Sequence, residues 1–436
     1  MALGGGVFTT TNKVLPGSYI NVVSKARSAS LLGERGKVAI ALPLAWGTGN
    51  SILKLTANEF YTDSMAKLGY PLNSDEEVMI VLREIFCNAS EVLIYNLNPN
   101  TTVAKDTTGT VTAKYGGTLG NTITVSVTEN VADATKMDVV TKVGTTIVDS
   151  QTVASTGVPA DNDWVKFSET FNMPDSGTVV SLAGGAAGSA VDAETALAAF
   201  AYEDFNILCA YTGADQGDYI SFTIAQRNEV GKKFQCVVYN VPTANHEGVI
   251  SVQNTTSHSS SHILTAWVAG AEAACPINKA ITNKIYNGEL EIQTTLTQKQ
   301  LEDALTNGKF VFHRVASDVR VLEDINTYVG NTVEKNSEFR YNQTVRVIDQ
   351  IANDISHLFN TKYIGNIANN SAGRVSLWND IVKHHKELET IEAIENFDPA
   401  EIVVTPHTTD KRAVIVQDAV VVMNCMTKMY MTLIIS

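Results

Sequence analysis

The chain has 436 residues, 44% of them hydrophobic and 18% charged, so there is apolar side chain enough for true cores. With 46 acidic and 32 basic residues the formal charge is −14, which argues against a nucleic-acid binder, because phosphate neutralisation needs a basic surface. Five scattered cysteines without a C-x-x-C pair exclude a disulfide scaffold. The longest apolar run, Val38–Trp46, is too short to span a bilayer.

The chain opens on a small, flexible stretch, Met1–Gly6, followed by a strand-like run through Val7, Phe8, Thr9, Thr10 and Thr11 to Leu15. Pro16-Gly17 turns the chain into a second short run containing Tyr19, Ile20 and Val22. Neither run has a neighbour in sequence to pair with, and an unpaired strand templates association with another chain. The alternative is that the terminus folds back onto its own domain. The leading 60 residues are basic: Lys13, Lys25, Arg27, Arg35, Lys37 and Lys54 stand against Glu34 and Glu59. No charged start followed by an apolar core marks a signal peptide, so we expect a soluble protein made in a cytoplasm with its cysteines reduced and buried.

Residues 25–97 mix loops and helices and close on Glu91–Tyr95, a short apolar run typical of a buried strand. From about 101 to 187 Thr, Val, Gly and Asp dominate, and apolar residues alternate, as in Ile123-Thr124-Val125-Ser126-Val127. Short alternating strands with turn signals between them predict a small β-sandwich or barrel inserted on an exposed loop. From 188 to 330 the period changes. Helices are predicted over Asp192–Tyr202, Asp218–Val230, Ser261–Ala274 and Gln298–Thr306, with strands over Phe205–Tyr211, Phe234–Asn240 and Lys309–Val315. That alternation predicts an α/β layer with a largely parallel sheet.

In the last hundred residues, Asn342–Phe359 places Val345, Ile348, Ala352, Ile355 and Phe359 on one helical stripe. A second helix, Ser371–Leu388, lines up Val375, Trp378, Ile381, Val382 and His385, which turns His384 outward. Strands are expected over Glu401–Thr405 and within Arg412–Met423. The terminal run through Thr427, Met429, Tyr430, Met431, Leu433 and Ile435 is a further strand without a partner. The fold class is thus α/β and α+β multidomain. Its expected parts are an N-terminal arm (1–24), a discontinuous α/β core (25–97 and 188–330), an inserted β domain (98–187) and a C-terminal α+β domain (331–436) ending in a second arm (424–436).

Motifs for chemistry are scarce. There is no G-x-S-x-G elbow, no phosphate loop and no H-E-x-x-H, and Gly47-Thr48-Gly49-Asn50 reads as a turn. His258 and His262 have the i, i+4 spacing of a metal pair, but nothing nearby completes a tetrahedral site, and the serines around them fit an N-cap. Pairs such as Glu302-Asp303 sit on helical faces, where they serve solubility or the helix dipole. No catalytic residue, metal or cofactor is expected.

Several stretches together resemble one family. Gly4-Gly5-Gly6-Val7-Phe8-Thr9-Thr10-Thr11, running on to Pro16-Gly17-Ser18-Tyr19-Ile20-Asn21, resembles the opening of contractile phage tail sheath proteins. The type is that of phages and phage-tail-like bacteriocins of Gram-positive bacteria. Arg35-Gly36-Lys37-Val38-Ala39, Pro43–Gly47, Ala113–Asn121, Asn162–Val165, Asp324–Thr327, Val345–Ile355 and Met426–Thr432 are similar to successive parts of it. The resemblance covers essentially the whole chain, in order.

The resemblance implies a structural subunit, not an enzyme, that polymerises helically around an inner tail tube and contracts to drive that tube through a bacterial envelope. Its partners would be other copies of itself, the inner tail tube protein, and baseplate and tail-terminator proteins, with no nucleic acid, membrane or cofactor. It would be assembled in the host cytoplasm and carried in a virion or tail-like particle. Each terminal arm would add a strand to a neighbouring subunit, with Pro16–Ser30 as the tether that absorbs movement. Arg346, Lys362, Lys383 and Lys386, on the polar faces of the two C-terminal helices, are candidate tube contacts; the alternative is that they are solvated charges with local partners such as Glu387. A competing reading, an α/β hydrolase-like enzyme with a carbohydrate-binding β module, requires a concave pocket with perturbed ionisable groups at strand ends. A surface-layer or adhesin protein would require export, against which the missing signal peptide weighs.

Overall fold

The computed structural model describes residues 32–99, 102–212, 214–242 and 244–435. The expected N-terminal arm, with Val7, Phe8, Thr9, Thr10, Thr11, Tyr19, Ile20 and Val22, and the tether over Pro16–Ser30 lie outside the described residues.

The first strand, Lys37–Leu42 (β1), carries apolar side chains on both faces and must be covered on both. Val38, Ile40 and Leu42 pack into one helical layer, Ala39 and Ala41 into the other. Ile52–Thr56 (β2), Ala57–Leu68 (α1), Glu77–Phe86 (α2) and Glu91–Asn96 (β3) follow. Helix α1 starts where Thr56 and Glu59 form a reciprocal capping box.

The β-rich stretch then forms Val103–Lys105 (β4), Val111–Gly116 (β5), Ile123–Glu129 (β6), Lys136–Val143 (β7), Thr146–Ala154 (β8), Val165–Phe167 (β9) and Thr178–Ser181 (β10). They make an antiparallel sheet in the order β10-β6-β7-β8 and a smaller one in the order β4-β5-β9. Inward positions alternate along β7, as the period-2 pattern predicts. Trp46, from the loop after β1, joins this core by stacking on Trp164 with ring centres 5.1 Å apart.

The chain returns through Ala193–Phe200 (α3), Ile207–Cys209 (β11), Gln216–Ala225 (α4), Gln235–Tyr239 (β12), Val249–Val252 (β13), Leu264–Ala274 (α5), Gln298–Thr306 (α6) and Lys309–Phe310 (β14). The large sheet has the order β14-β13-β12-β11-β1-β3-β2, parallel throughout except for β2. Helix α5 lies against α2, and Gly270 permits the close approach: a Cβ there would sit 2.3 Å from the Ile85 carbonyl oxygen. The serines before α5 do not cap it; the Ser260 hydroxyl instead donates to Glu77 Oε2 at 2.8 Å. The single strand expected over Lys309–Val315 is two. After β14 the chain leaves the large sheet, and Phe312–Val315 (β15) pairs with Asp318–Val321 (β16) in a separate hairpin.

The C-terminal region contains Asn342–Leu358 (α7), Ser371–Thr390 (α8), Ile394–Glu395 (β17), Val403–Pro406 (β18), Val414–Gln417 (β19) and Val421–Val422 (β20). Strand β17 pairs with β20 and β18 with β19, both antiparallel. The first turns of α7 are buried on all sides, polar positions included, rather than along one stripe. On α8, Val375 is 54% exposed and His384 is buried beside His385, because α8 turns His384 toward α7, where its Nε2 lies 3.0 Å from Asp354 Oδ2. Cys209, Cys236 and Cys275 are buried, and burial pushes each thiol up to about 12; Cys87 is half-buried and Cys425 exposed, against the expectation of five buried thiols.

Candidate functional site

Beside an apolar cluster that Val347 shares with Ile277, the attachment of α7 to the α/β layers is made of charge. Arg346 Nη2 lies 2.5 Å from Glu272 Oε2 on α5 and 3.3 Å from Asp324 Oδ2, while Nη1 donates to the Lys279 carbonyl at 2.6 Å. Asn342 Nδ2 donates to Glu272 Oε1 and to Asp324 Oδ1. One turn on, Asp349 receives a two-pronged grip from Arg227, at 2.6 and 2.8 Å. Burial, with Asp324 alongside, holds the Glu272 carboxyl well above the usual range. Burial also opposes ionisation of Asp324, but Arg346 and the hydrogen bonds from Asn342 and the Ile281 amide hold it below its ordinary value.

Arg346 is therefore corrected from a candidate tube contact to an interior residue: it is 2% exposed and its guanidinium is engaged inside the fold. A charge so buried requires partners, and it has them. Sequence reasoning missed Glu272, Asp324 and Arg227. A signal existed for the first, since Glu272 is the sole charged residue in the apolar run Leu264–Ala274.

The other three basic candidates sit at the surface. Lys362 Nζ is 2.5 Å from Asp380 Oδ2, Lys383 Nζ is 3.9 Å from Glu387 Oε1, and Lys386 is exposed on α8. Lys383 and Lys386 share the exposed side of α8, opposite Ile381, Val382 and His385.

Beyond β20 the chain is held as far as Cys425, whose amide donates to Gln343 Oε1 at 2.9 Å. From Met426 to Ile435 no backbone group has a hydrogen-bond partner among the described residues, and no strand forms. Thr427 and Thr432 are exposed, and Met429, Tyr430, Met431, Leu433, Ile434 and Ile435 are 74–92% exposed. A run of large apolar side chains with open backbone is costly in water and is a ready strand for another sheet. Among the described residues the β18–β19 hairpin pairs with no further strand, and Val403, Ile415 and Val416 are partly in solvent.

A cavity of about 590 Å³ lies at the N-terminal ends of β1, β11 and β12, lined by Arg35, Asp204, Lys233, Asp349, Asp354 and His357 among others. Open α/β sheets hold ligands at the opposite, C-terminal, ends of their strands, and two of these acids already bind elsewhere: Asp349 to Arg227, and Asp354 to His384 and the Gly33 amide. His262 Nε2 is 3.6 Å from Glu77 Oε1, and no group of three or more His, Cys, Asp or Glu side chains among the described residues is placed to hold a metal ion. No helix among the described residues is long and apolar enough to cross a membrane.

Comparison with known proteins accounts for nearly the whole chain. Residues 35–97 match a model described as the tail sheath protein Gp18 domain III N-terminal region, and 96–188 match the phage tail sheath protein beta-sandwich domain. Residues 186–327 match the phage tail sheath protein central domain, and 334–436 the phage tail sheath C-terminal domain. The YqbK protein of Bacillus subtilis (strain 168) is 32% identical over 386 residues, which is 81% of this chain and 82% of the relative. The crystal structure of a sheath tail protein from Desulfitobacterium hafniense is 32% identical with a TM-score of 0.75, covering 93% of this chain and 100% of that one. The fold is shared, at 12% identity and a TM-score of 0.57, with a chain of the anti-feeding prophage helical sheath in its contracted state, over 97% of this chain and 99% of that one. The chain belongs to the phage tail sheath protein family.

Proposed function

We propose that this chain is the repeating subunit of a contractile tail sheath, that it polymerises helically around an inner tube, and that residues 426–435 link each copy to the next. The observation that carries this reading is the exposed tail: an apolar segment held at its root and without a backbone hydrogen-bond partner beyond it among the described residues. Added to the edge of a β18–β19 hairpin in a second copy, it would gain about 0.5–1.5 kcal/mol net per ladder hydrogen bond and bury the apolar side chains now in water. Residues 7–11, 19, 20 and 22 supply the matching N-terminal link in this reading, so that each copy is joined twice and the joints add by avidity.

Contraction is then a change between two packings of the same linked bodies, downhill without a nucleotide. The ion network around Arg346 fixes the link-bearing region to the α/β core, so that the pull on a tail is carried to the whole subunit. Lys383 and Lys386 on the open side of α8 are the candidate grips on the tube. The β insertion lies on the outside of the particle in this arrangement, and baseplate and terminator proteins close its ends. The chain performs mechanical rather than catalytic work.

Negative-stain microscopy of the purified chain, alone and with its tube protein, tests this. Long hollow polymers are expected from the full chain, and folded, non-polymerising monomers from a chain lacking 426–436. A protein that stays monomeric with its tube at high concentration would contradict the reading.

A further inference from the structure

We propose that Gln343 is a positioning residue that aims the C-terminal tail at its acceptor by imitating one residue of a parallel strand. The inference rests on reading the tail as an inter-subunit link.

Strand β17 accompanies the outgoing chain only briefly: its last bond is from the Met423 amide to the Ala393 carbonyl, at 3.0 Å. There β17's own chain turns away, with Glu392 at φ 60°. The side chain of Gln343, on the first turn of α7 and 3% exposed, takes over. Its Nε2 donates to the Met423 carbonyl at 3.0 Å and its Oε1 accepts from the Cys425 amide at 2.9 Å. In a parallel ladder one residue donates its N–H to the carbonyl of residue i and accepts from the N–H of residue i+2. The carboxamide reproduces that pattern, so the pairing extends past the end of β17 without another strand.

Asn424, between the two gripped residues, is tied on its own: its side chain meets Thr344 Oγ1 at 3.1–3.2 Å and Glu338 Oε2 at 3.3 Å. Residues 423–425 are thus fixed in extended form on a buried helix end, and Met426 leaves in a set direction. The function is preorganisation. A tail whose root is already ordered loses less conformational entropy on docking, which strengthens the joint without any contact across it. The tail residues held by these ties, Asn424 and Cys425, are themselves exposed to water, so the ties do not serve to bury them.

The test uses the full-length chain in three variants: Gln343→Ala, Asn424→Ala and removal of 426–436. Amide exchange and the critical concentration for polymerisation are read for each. Gln343→Ala should expose the Cys425 amide to exchange, leave exchange in β1 and β11 as in the parent, and raise the critical concentration about tenfold, equivalent to about 1.4 kcal/mol. Asn424→Ala, on the exposed side where folding is not at stake, should raise it about threefold. If the Cys425 amide becomes exchangeable and both critical concentrations are unchanged, the positioning role is wrong. Should Gln343→Ala unfold the domain, Asn424→Ala alone decides by the same criterion. A chain lacking 426–436 that polymerises normally overturns the link itself, a result distinct from failure of the Gln343 proposal.

Discussion

Helix α5 and the first turns of α7 are both interior, yet they are held there largely by different physics. Along α5 up to Glu272 the partners are mainly apolar: Trp267, fully buried, packs on Tyr286 and Phe312, and Gly270 lets the α2 backbone come close. Around the first turns of α7 they are ionic, with Arg346 between Glu272 and Asp324, and Asp349 clasped by Arg227. Apolar burial is non-directional and decides that a helix is inside. Paired charges with forked geometry decide the angle at which it sits, and add little net stability once desolvation is counted. The region bearing the tail is attached by the second kind.

The sharpest break in this comparison is Arg346→Ala. Two buried carboxylates would be left together, so about 3–5 kcal/mol should be lost. The loss should be deepest at neutral pH and shrink in acid, as Glu272 and Asp324 take up protons. Adding Glu272→Gln should recover much of it; urea melts from pH 4 to 8 report both. Identical melts for single and double variants would mean that the ions do not set the junction. Trp267→Ala on α5 should also cost about 3–5 kcal/mol, but by the same amount at every pH, because no charge is involved.

A smaller effect concerns Glu84, a fully buried acid on α2 that accepts from the Tyr286 hydroxyl and the Glu289 amide, each at 2.7 Å. Burial pushes its carboxyl up to about 7. A carboxyl raised in the folded state contributes fully below its unfolded value near 4.3, and that contribution is lost as pH rises through about 7. Glu84→Gln should flatten this decline, with a difference of up to about 4 kcal/mol above pH 7; pH-dependent thermal melts measure it. The smallest effect is at the surface. Lys383→Glu and Lys386→Glu should change monomer stability by under about 0.5 kcal/mol while weakening co-sedimentation with the tube protein, and a tube interaction untouched by both would remove α8 as the grip.

Much of the fold was legible because it is local. Period-2 alternation marked the inserted β strands, continuous apolar runs marked β3 and β12, and α7 was placed within a residue of its observed end, whereas β1 and β2 lie in a stretch that reads as loops and helices. What was not legible is the inside of the junction. A helical stripe assigns Arg346 to the polar face and hence to solvent, and only the fold brings it to Glu272 and Asp324, 74 and 22 residues away in sequence. His384 was turned outward by the same reasoning and is buried for the same reason: its partner Asp354 is 30 residues off. The tail was visible as an apolar run without a partner, but its root was not, since Gln343 lies 82 residues before the amide it holds.

A helical reconstruction of the assembled particle tests the central claim most directly. The account predicts residues 427–435 in continuous strand pairing with the C-terminal sheet of an adjacent copy, leaving their own body at Cys425. Density showing those residues folded against the subunit that carries them, with no adjacent copy in contact, would contradict it.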